Sequence, residues 1–308
     1  MPDSPTPARS RLPLLALLLA NVMLACGPWL VRLARADDGV GPVAAGFWRL
    51  ALALPVLLAV AAARRRPSAA GWRPAAVVAA GGIAFALDLA FWHVGILHTR
   101  LGNATLFGNS TAIVYPLYGF LVARAWPRPR QMAALLLAAL GAALLMGRSY
   151  ELSAHNMVGD LLCILAGLFY TVYLIAVGAA GARLGKPATL ALSVTVGLPI
   201  LLATAFALGE QVWPHGWAAL VLLAIGSQLV GQGLVIYAID RLPPLVVGVM
   251  LLVQPVVSAA IGWRIYGERL GPADLMGAAA VFVAMLLVRA EPASGALRAR
   301  RRALSSAG

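Results

Sequence analysis

Ten long apolar runs dominate this sequence, separated by short breaks rich in proline, glycine and arginine. A helix needs about 20 apolar residues to cross the hydrocarbon core of a bilayer. Strands or loops open to lipid would leave backbone groups unpaired, so the runs must be helical. The pattern predicts an all-α polytopic membrane protein with ten transmembrane helices, at residues 12–34, 43–63, 75–98, 103–124, 130–147, 157–179, 188–208, 216–239, 243–266 and 272–289.

The charged residues fit this prediction in number and in position. Only 11% of the residues are charged, whereas a soluble domain carries about a quarter. With the N-terminus inside, about 17 of the 24 basic residues fall on the cytoplasmic side, as the positive-inside rule requires. This predicts a bacterial inner (plasma) membrane protein with both termini cytoplasmic, a tail at 1–11 and an Arg-rich tail at 291–308.

The net charge of +13 is explained by this topology. No basic face with interleaved aromatic residues, which would indicate nucleic-acid binding, is visible. Cys26 and Cys163 both lie inside apolar runs, and their number and spacing indicate neither a disulfide framework nor a metal site. We therefore expect the lipid bilayer as a partner, no nucleic acid and no cofactor.

The second half of the sequence repeats features of the first. A shift of about 143 residues carries 85–145 onto 228–288, with Gly119 on Gly262 and Pro129 on Pro272. Each half holds five runs, and an odd number of spans gives the halves opposite orientations. The sequence thus predicts two inverted five-helix repeats, at 12–150 and 155–290, with a substrate site near the bilayer midplane between them.

Several short motifs resemble the EamA type of the drug/metabolite transporter superfamily, and within it the YddG-like amino-acid exporter group. They are Gly46-Phe47-Trp48-Arg49-Leu50, Trp92, Leu101-Gly102-Asn103-Ala104-Thr105, Gly159-Asp160-Leu161-Leu162, Tyr170-Thr171-Val172-Tyr173, Gln254-Pro255 and Gly267-Glu268-Arg269-Leu270. The resemblance implies ten helices and export of amino acids, nucleotide-linked metabolites or lipophilic toxic compounds. The first half departs from it, with Ala112 where the second has Pro255.

Asp88, midway along the third run, is the strongest candidate for a residue of the substrate site. A carboxylate inside a span costs about 2.5–3.5 kcal/mol on insertion scales, so such residues usually line water or a substrate path. Helical spacing places Phe85, Asp88 and Trp92 on one face. With the shift of about 143 residues, Gln228 aligns with Phe85, so the equivalent helix face in the second half contains Gln228, and Gln232 lies next to that face. A structural hydrogen bond between helices is the alternative role for each of these polar residues.

Further polar and aromatic residues complete the predicted substrate site. His93 lies about 140° around the helix from Asp88, so a packed, neutral histidine is the alternative to a proton-coupling one. Arg49 and Glu268 lie towards the outer ends of their runs, where ion pairing or snorkelling accounts for a charged residue inside a span. Arg49 could also bind a carboxylate group. The predicted substrate-binding set is Asp88, Trp92, His93, Asn109, Tyr115, Tyr173, Gln228 and Gln232.

Signatures of catalysis are absent from the sequence. We find no P-loop, no metalloprotease motif and no nucleophile elbow. The predicted function is a secondary transporter that exports small amphipathic metabolites, amino acids first, by alternating access. Efflux of lipophilic drugs or organic cations is the alternative, and a non-transporting scaffold, sensor or intramembrane enzyme is the second. Coupling to protons is left open, and we expect a monomer or a weak dimer.

Overall fold

The computed structural model describes residues 12–64, 71–99, 101–124, 126–146, 154–267 and 271–289. Within these ranges the regular secondary structure is entirely helical. The predicted tails at 1–11 and 291–308, and Glu268, lie outside the described residues. The helices are α1 (Leu12–Ala25), α2 (Gly27–Asp37), α3 (Pro42–Ala63), α4 (Trp72–His98), α5 (Leu101–Gly108), α6 (Thr111–Ala123), α7 (Pro129–Met146), α8 (Ala154–Leu184), α9 (Lys186–Ala207), α10 (Ala218–Leu222), a π-helical segment (Leu223–Gln232), α11 (Gly233–Ile239), α12 (Pro244–Leu251), α13 (Val253–Tyr266) and α14 (Pro272–Arg289).

Seven helical segments among the described residues are long and apolar enough to cross a membrane, so the chain is a multi-pass membrane protein. They are Leu12–Asp37, Pro42–Ala63, Trp72–His98, Met157–Gly181, Lys186–Ala207, Ala218–Ile239 and Pro244–Tyr266. The other three predicted runs coincide with α5 and α6 together, with α7 and with α14. The count of ten spans stays a prediction.

Two of the predicted helices are interrupted near their middles. α5 and α6 are separated at Asn109 and Ser110. Here the backbone hydrogen bonds connect residues three apart instead of four: Ser110 N–H donates to the Phe107 carbonyl, and Ala112 N–H donates to the Asn109 carbonyl. α12 and α13 are separated at Leu252, three residues before a proline that cannot donate a backbone bond. The shift of 143 residues that aligns the halves carries one break onto the other.

The eighth predicted span is wound differently from the rest. Its central ten residues, Leu223–Gln232, form a π-helix between α10 and α11, whereas the sequence pattern predicts a continuous α-helix. π-Helical turns are rare and occur frequently at functional sites. This segment carries Gln228 and Gln232, and both side chains are buried.

The helices pack mainly across the two halves of the chain. α4 packs against α8 and α9, α3 against α9 and the π segment, and α1 against the π segment and α11. The interrupted helices pair as α6 with α12 and α5 with α13, and α7 packs against α14. Glycines permit the closest approaches, as small residues do in membrane helix pairs: a Cβ at Gly82 would lie 2.8 Å from the Ser193 carbonyl oxygen.

The loop 208–217, after α9, closes one face of the bundle, which we call the Glu210 face. The Glu210 carboxylate accepts hydrogen bonds from the backbone N–H groups of Val43 (3.3 Å) and Ala44 (2.9 Å) at the start of α3. The Trp48 indole donates to the Val212 carbonyl at 2.7 Å. On the opposite face, the Asp240 face, Lys186 at the start of α9 pairs with Asp240 just after α11.

Candidate functional site

A small cavity lies between the two halves, midway along the helices. Its volume is about 40 Å³. Helices from both halves contribute to its wall. The described lining residues are Leu24, Arg49, Phe85, Asp88, Leu89, Trp92, Gly108, Asn109, Tyr170, Gln232 and Gln254.

Two opposite charges face this cavity. Arg49 on α3 is 2% exposed and Asp88 on α4 is 8% exposed. Within the described part of the chain, the guanidinium has one hydrogen bond, from Nε to the Gln228 side-chain oxygen at 3.1 Å, and it lies 5.9 Å from the Phe85 ring centroid. Asp88 has no hydrogen bond or ion pair to a described residue. Both charged groups thus keep unused bonding capacity towards the same space.

The two helix breaks bring a row of amides to the cavity wall. Asn109, at the break between α5 and α6, donates to the Gln254 side-chain oxygen at 3.5 Å and to the Thr105 carbonyl at 2.7 Å. Gln254, near the start of α13, donates in turn to the Asn21 side chain at 2.8 Å. A break in a transmembrane helix needs polar partners, because lipid offers none. The amide row connects the two breaks to each other and to α1.

Aromatic rings form another part of the wall. Phe85 stacks on Tyr173 with ring centroids 4.6 Å apart, and the Tyr170 hydroxyl donates to the Gln232 side-chain oxygen at 3.2 Å. The Trp92 indole donates to the Ala104 carbonyl at 3.0 Å. The Gln232 amide nitrogen is buried without a hydrogen-bond partner among the described residues. The wall therefore combines apolar ring faces with polar groups that can still bond.

The structure places the eight predicted site residues in three groups. Asp88, Trp92, Asn109 and Gln232 line the cavity. Gln228 and Tyr173 stand directly behind it, against Arg49 and Phe85. His93 and Tyr115 are not among the described lining residues. The His93 ring nitrogen Nδ1 lies 2.8 Å from the Pro42 carbonyl oxygen, and Tyr115 packs against Tyr118. The function of all eight stays a prediction.

Arg49 requires a correction to the sequence analysis. The expectation that its side chain snorkels is wrong, because that side chain is almost fully buried against the cavity, and it forms no ion pair with a described residue. The contact with a carboxylate stays a prediction. Neither Asn21 nor Gln254 is in the predicted substrate-binding set, although Gln254 belongs to one of the family-like motifs. A usable signal existed for Arg49 and Asn21, since polar residues within a span usually face the interior of the bundle.

No group of three or more His, Cys, Asp or Glu side chains that could hold a metal ion occurs among the described residues. Cys26 and Cys163 are both free thiols. Hydrogen-bonding amides, rings and one pair of charges are therefore the chemistry that the cavity offers. Such an arrangement can hold a small polar molecule by non-covalent contacts.

Comparison with solved structures shows that the fold is shared with another protein. A crystal structure of a protein that is 18% identical in sequence superimposes with a TM-score of 0.70, and the match covers 92% of this chain and 99% of that chain. At this identity the likeness concerns the fold alone.

Sequence comparison identifies relatives that are named as transporters. An uncharacterized transporter of Archaeoglobus fulgidus is 25% identical over 262 residues, which cover 82% of this chain and 89% of that protein. The threonine/homoserine exporter RhtA of Escherichia coli strain K12 is 30% identical over 163 residues, 52% of this chain and 54% of that exporter. The chain thus matches about half the length of RhtA. Assignment to the YddG-like group stays a prediction.

The model of the EamA-like transporter family matches this sequence twice, at residues 11–147 and at residues 157–290. Together the two matches cover most of the chain, and each contains residues that line the cavity. The chain therefore belongs to the EamA-like transporter family.

Proposed function

We propose that this protein is a secondary transporter that exports small amphipathic metabolites, amino acids first, by alternating access around the central cavity. The observation that carries the proposal is the composition of the cavity wall. Asp88 and Arg49 come from the part of the chain that matches the first family model, and Gln232 and Gln254 come from the second. A site shared by two halves is reshaped whenever the halves move relative to each other.

The proposal includes ten spans arranged as two inverted halves, at 12–150 and 155–290. The packing partners support it, because exchanging the halves leaves the pattern of contacts unchanged. α3 pairs with α9, α5 and α6 pair with α13 and α12, and α7 pairs with α14. The contact of α4 with α8 is matched by that of α1 with the π segment and α11. The two central helix breaks also correspond.

Alternating access requires a cavity that opens to each side in turn. The cavity volume is about 40 Å³ in this structure, and the proposal requires the cavity to widen to admit an amino acid. The two closures differ: a backbone-bonded loop covers the Glu210 face, while the Lys186–Asp240 pair joins α9 to α11 on the other. In the proposed orientation, in a bacterial inner membrane with both termini cytoplasmic, the Glu210 face is the outer one.

Amino acids lead the substrate classes for two reasons. The cavity combines charged and amide groups with the faces of Phe85 and Trp92, which suits a solute with a polar head and a small or aromatic side chain. In addition, RhtA is named a threonine/homoserine exporter. The aromatic faces and Asp88 also favour organic cations as a second candidate. A monomeric or weakly dimeric state remains part of the proposal, and proton-driven transport and passive facilitation are both compatible with it.

Flux into liposomes tests the function. Purified full-length protein is reconstituted, and the movement of radiolabelled amino acids, beginning with L-threonine and L-homoserine, is compared with that of organic cations. We expect amino-acid flux above that of protein-free liposomes. Flux of cations alone would establish the second candidate, and no flux of any solute would favour a scaffold or sensor. The same assay with and without a pH gradient determines whether protons drive transport.

A further inference from the structure

The two charges at the cavity do not neutralise each other by direct contact. Arg49 and Asp88 line the same space from neighbouring helices, and no ion pair within 4.0 Å joins them. Burial of a charge is expensive unless it is paired and hydrogen-bonded. A buried cation and a buried anion that line one cavity without pairing directly are therefore unfavourable until a molecule with complementary charges enters.

We propose that Asp88 and Arg49 are the two poles of a binding site for a zwitterion. The Asp88 carboxylate accepts hydrogen bonds from the ammonium group of an α-amino acid, and the Arg49 guanidinium donates to its carboxylate. This inference rests on the proposed transport of amino acids and assigns the residues that select them. It excludes organic cations and simple carboxylic acids as preferred ligands, because either would leave one buried pole without a partner.

The surroundings of Arg49 prepare it for this role. Gln228 holds Nε at 3.1 Å, and the Phe85 ring lies beneath the guanidinium at 5.9 Å. The two terminal nitrogens have no hydrogen bond within the described chain. A guanidinium presents its donors as a planar fork that matches a carboxylate. With Nε and the ring plane held, the remaining N–H groups are positioned for the ligand carboxylate.

The surroundings of Asp88 are complementary. It occupies the same face of α4 as Phe85 and Trp92, so its carboxylate stands one helical turn from each ring. No backbone or side-chain donor among the described residues occupies its oxygens. An ammonium group has three donors, and the carboxylate can accept from it without breaking an existing bond. The apolar side chains of Leu24 and Leu89 and the amide of Asn109 remain for the ligand side chain.

Ligand analogues paired with variants test the assignment. The probes are L-threonine, 1-amino-2-propanol, which lacks its carboxylate, and 3-hydroxybutyrate, which lacks its ammonium group. Affinities for the full-length protein in detergent are measured as ligand-induced thermal stabilisation. The variants are Asp88→Asn and Arg49→Gln. Asp160→Asn is the matched control, because Asp160 is buried to the same degree (9% exposed) but does not line the cavity and is held by Thr99.

Wild-type protein and Asp160→Asn are expected to bind L-threonine about tenfold to hundredfold more tightly than either analogue, the usual effect of removing a charged hydrogen bond. In Asp88→Asn this advantage over 3-hydroxybutyrate should disappear, while the advantage over 1-amino-2-propanol persists. Arg49→Gln should show the reverse. If Asp88 and Arg49 had a purely structural role, each variant would lower the affinity for all three probes equally, and that result would overturn the inference.

The outcomes also separate this inference from the proposed function. If L-threonine flux persists and neither variant changes the ranking of the probes, the zwitterion site is wrong and amino-acid transport stands. If neither L-threonine nor any other standard amino acid stabilises the protein or moves across liposomes, both are wrong. Should Arg49→Gln fail to fold, the Asp88→Asn series alone decides, since it predicts a selective loss and not a uniform one.

Discussion

Two carboxylates in this molecule, that of the half-buried Glu210 and that of the buried Asp88, are in opposite bonding states. Both oxygens of Glu210 accept backbone N–H groups, those of Val43 and Ala44, at the start of α3. Asp88, on α4, lines the cavity and has no hydrogen bond to a described residue. Glu210 thus satisfies donors that a helix N-terminus would otherwise leave orphaned. Asp88 satisfies no described donor and faces a cavity.

The comparison teaches how to separate a structural carboxylate from one that serves a ligand. A carboxylate whose oxygens are filled by the protein contributes to stability and has nothing left to offer a solute. One that is left unfilled costs stability, and the cost is retained only where function requires it. We therefore expect changes at Asp88 to affect transport, and changes at Glu210 to affect stability.

The largest effect is expected from Asp88→Ala. Loss of the ammonium contact should lower amino-acid flux by about tenfold to hundredfold, as expected for a charged hydrogen bond of about 1.5–3 kcal/mol. The melting temperature should change much less than the flux, because Asp88 has no hydrogen bond or ion pair to a described residue that the substitution would break. Liposome flux and thermal unfolding of the same preparation measure both. A variant that unfolds more readily and still transports would break the comparison.

A smaller effect, of the opposite kind, is expected from Glu210→Ala. The helix start at Val43 and Ala44 loses its acceptor, and loss of such a cap typically costs about 0.5–2 kcal/mol. The melting temperature should fall, while the affinity for L-threonine stays at the wild-type value. Glu210→Gln, which keeps one acceptor oxygen, should lie between. Lost affinity with an unchanged melting temperature would assign Glu210 to the binding site.

The smallest effect concerns pH. Burial raises the pKa of Glu210 above its ordinary value of 4.5, although the N–H groups of Ala44 and Val43 act in the opposite direction. A raised pKa means that the folded protein holds this proton more tightly than the unfolded chain. The stability of wild type relative to Glu210→Gln should therefore fall as pH rises through and above 4.5. Melting curves from pH 4 to 7 test this, and the opposite slope would show that the hydrogen bonds outweigh burial.

The helical architecture could be predicted because the bilayer leaves few alternatives. Apolar runs long enough to span it must be helices, and the described helices coincide with them. Local periodicity also brought Asp88 and Trp92 to one face, since residues three and four apart are neighbours on any helix.

Other features depend on tertiary contacts that periodicity does not contain. The direction in which the Arg49 side chain points depends on how α3 is rotated against the π segment, because Gln228 on that segment accepts a hydrogen bond from Arg49 Nε. The break at Asn109 and Ser110 has no proline at the site, and it is held by bonds from Ser110 and Thr111 to carbonyls of α8. His93 turns to the Pro42 carbonyl because the start of α3 lies beside it. None of these partners is near in sequence.

A structure of the full-length protein with saturating L-threonine tests the central claim most directly. The zwitterion site predicts the ligand between α3 and α4, its ammonium nitrogen about 2.7–3.2 Å from an Asp88 carboxylate oxygen and its carboxylate on the Arg49 guanidinium. Glu210 should remain bonded to Val43 and Ala44. A ligand bound elsewhere, or with Asp88 and Arg49 paired to each other beside it, would contradict the claim.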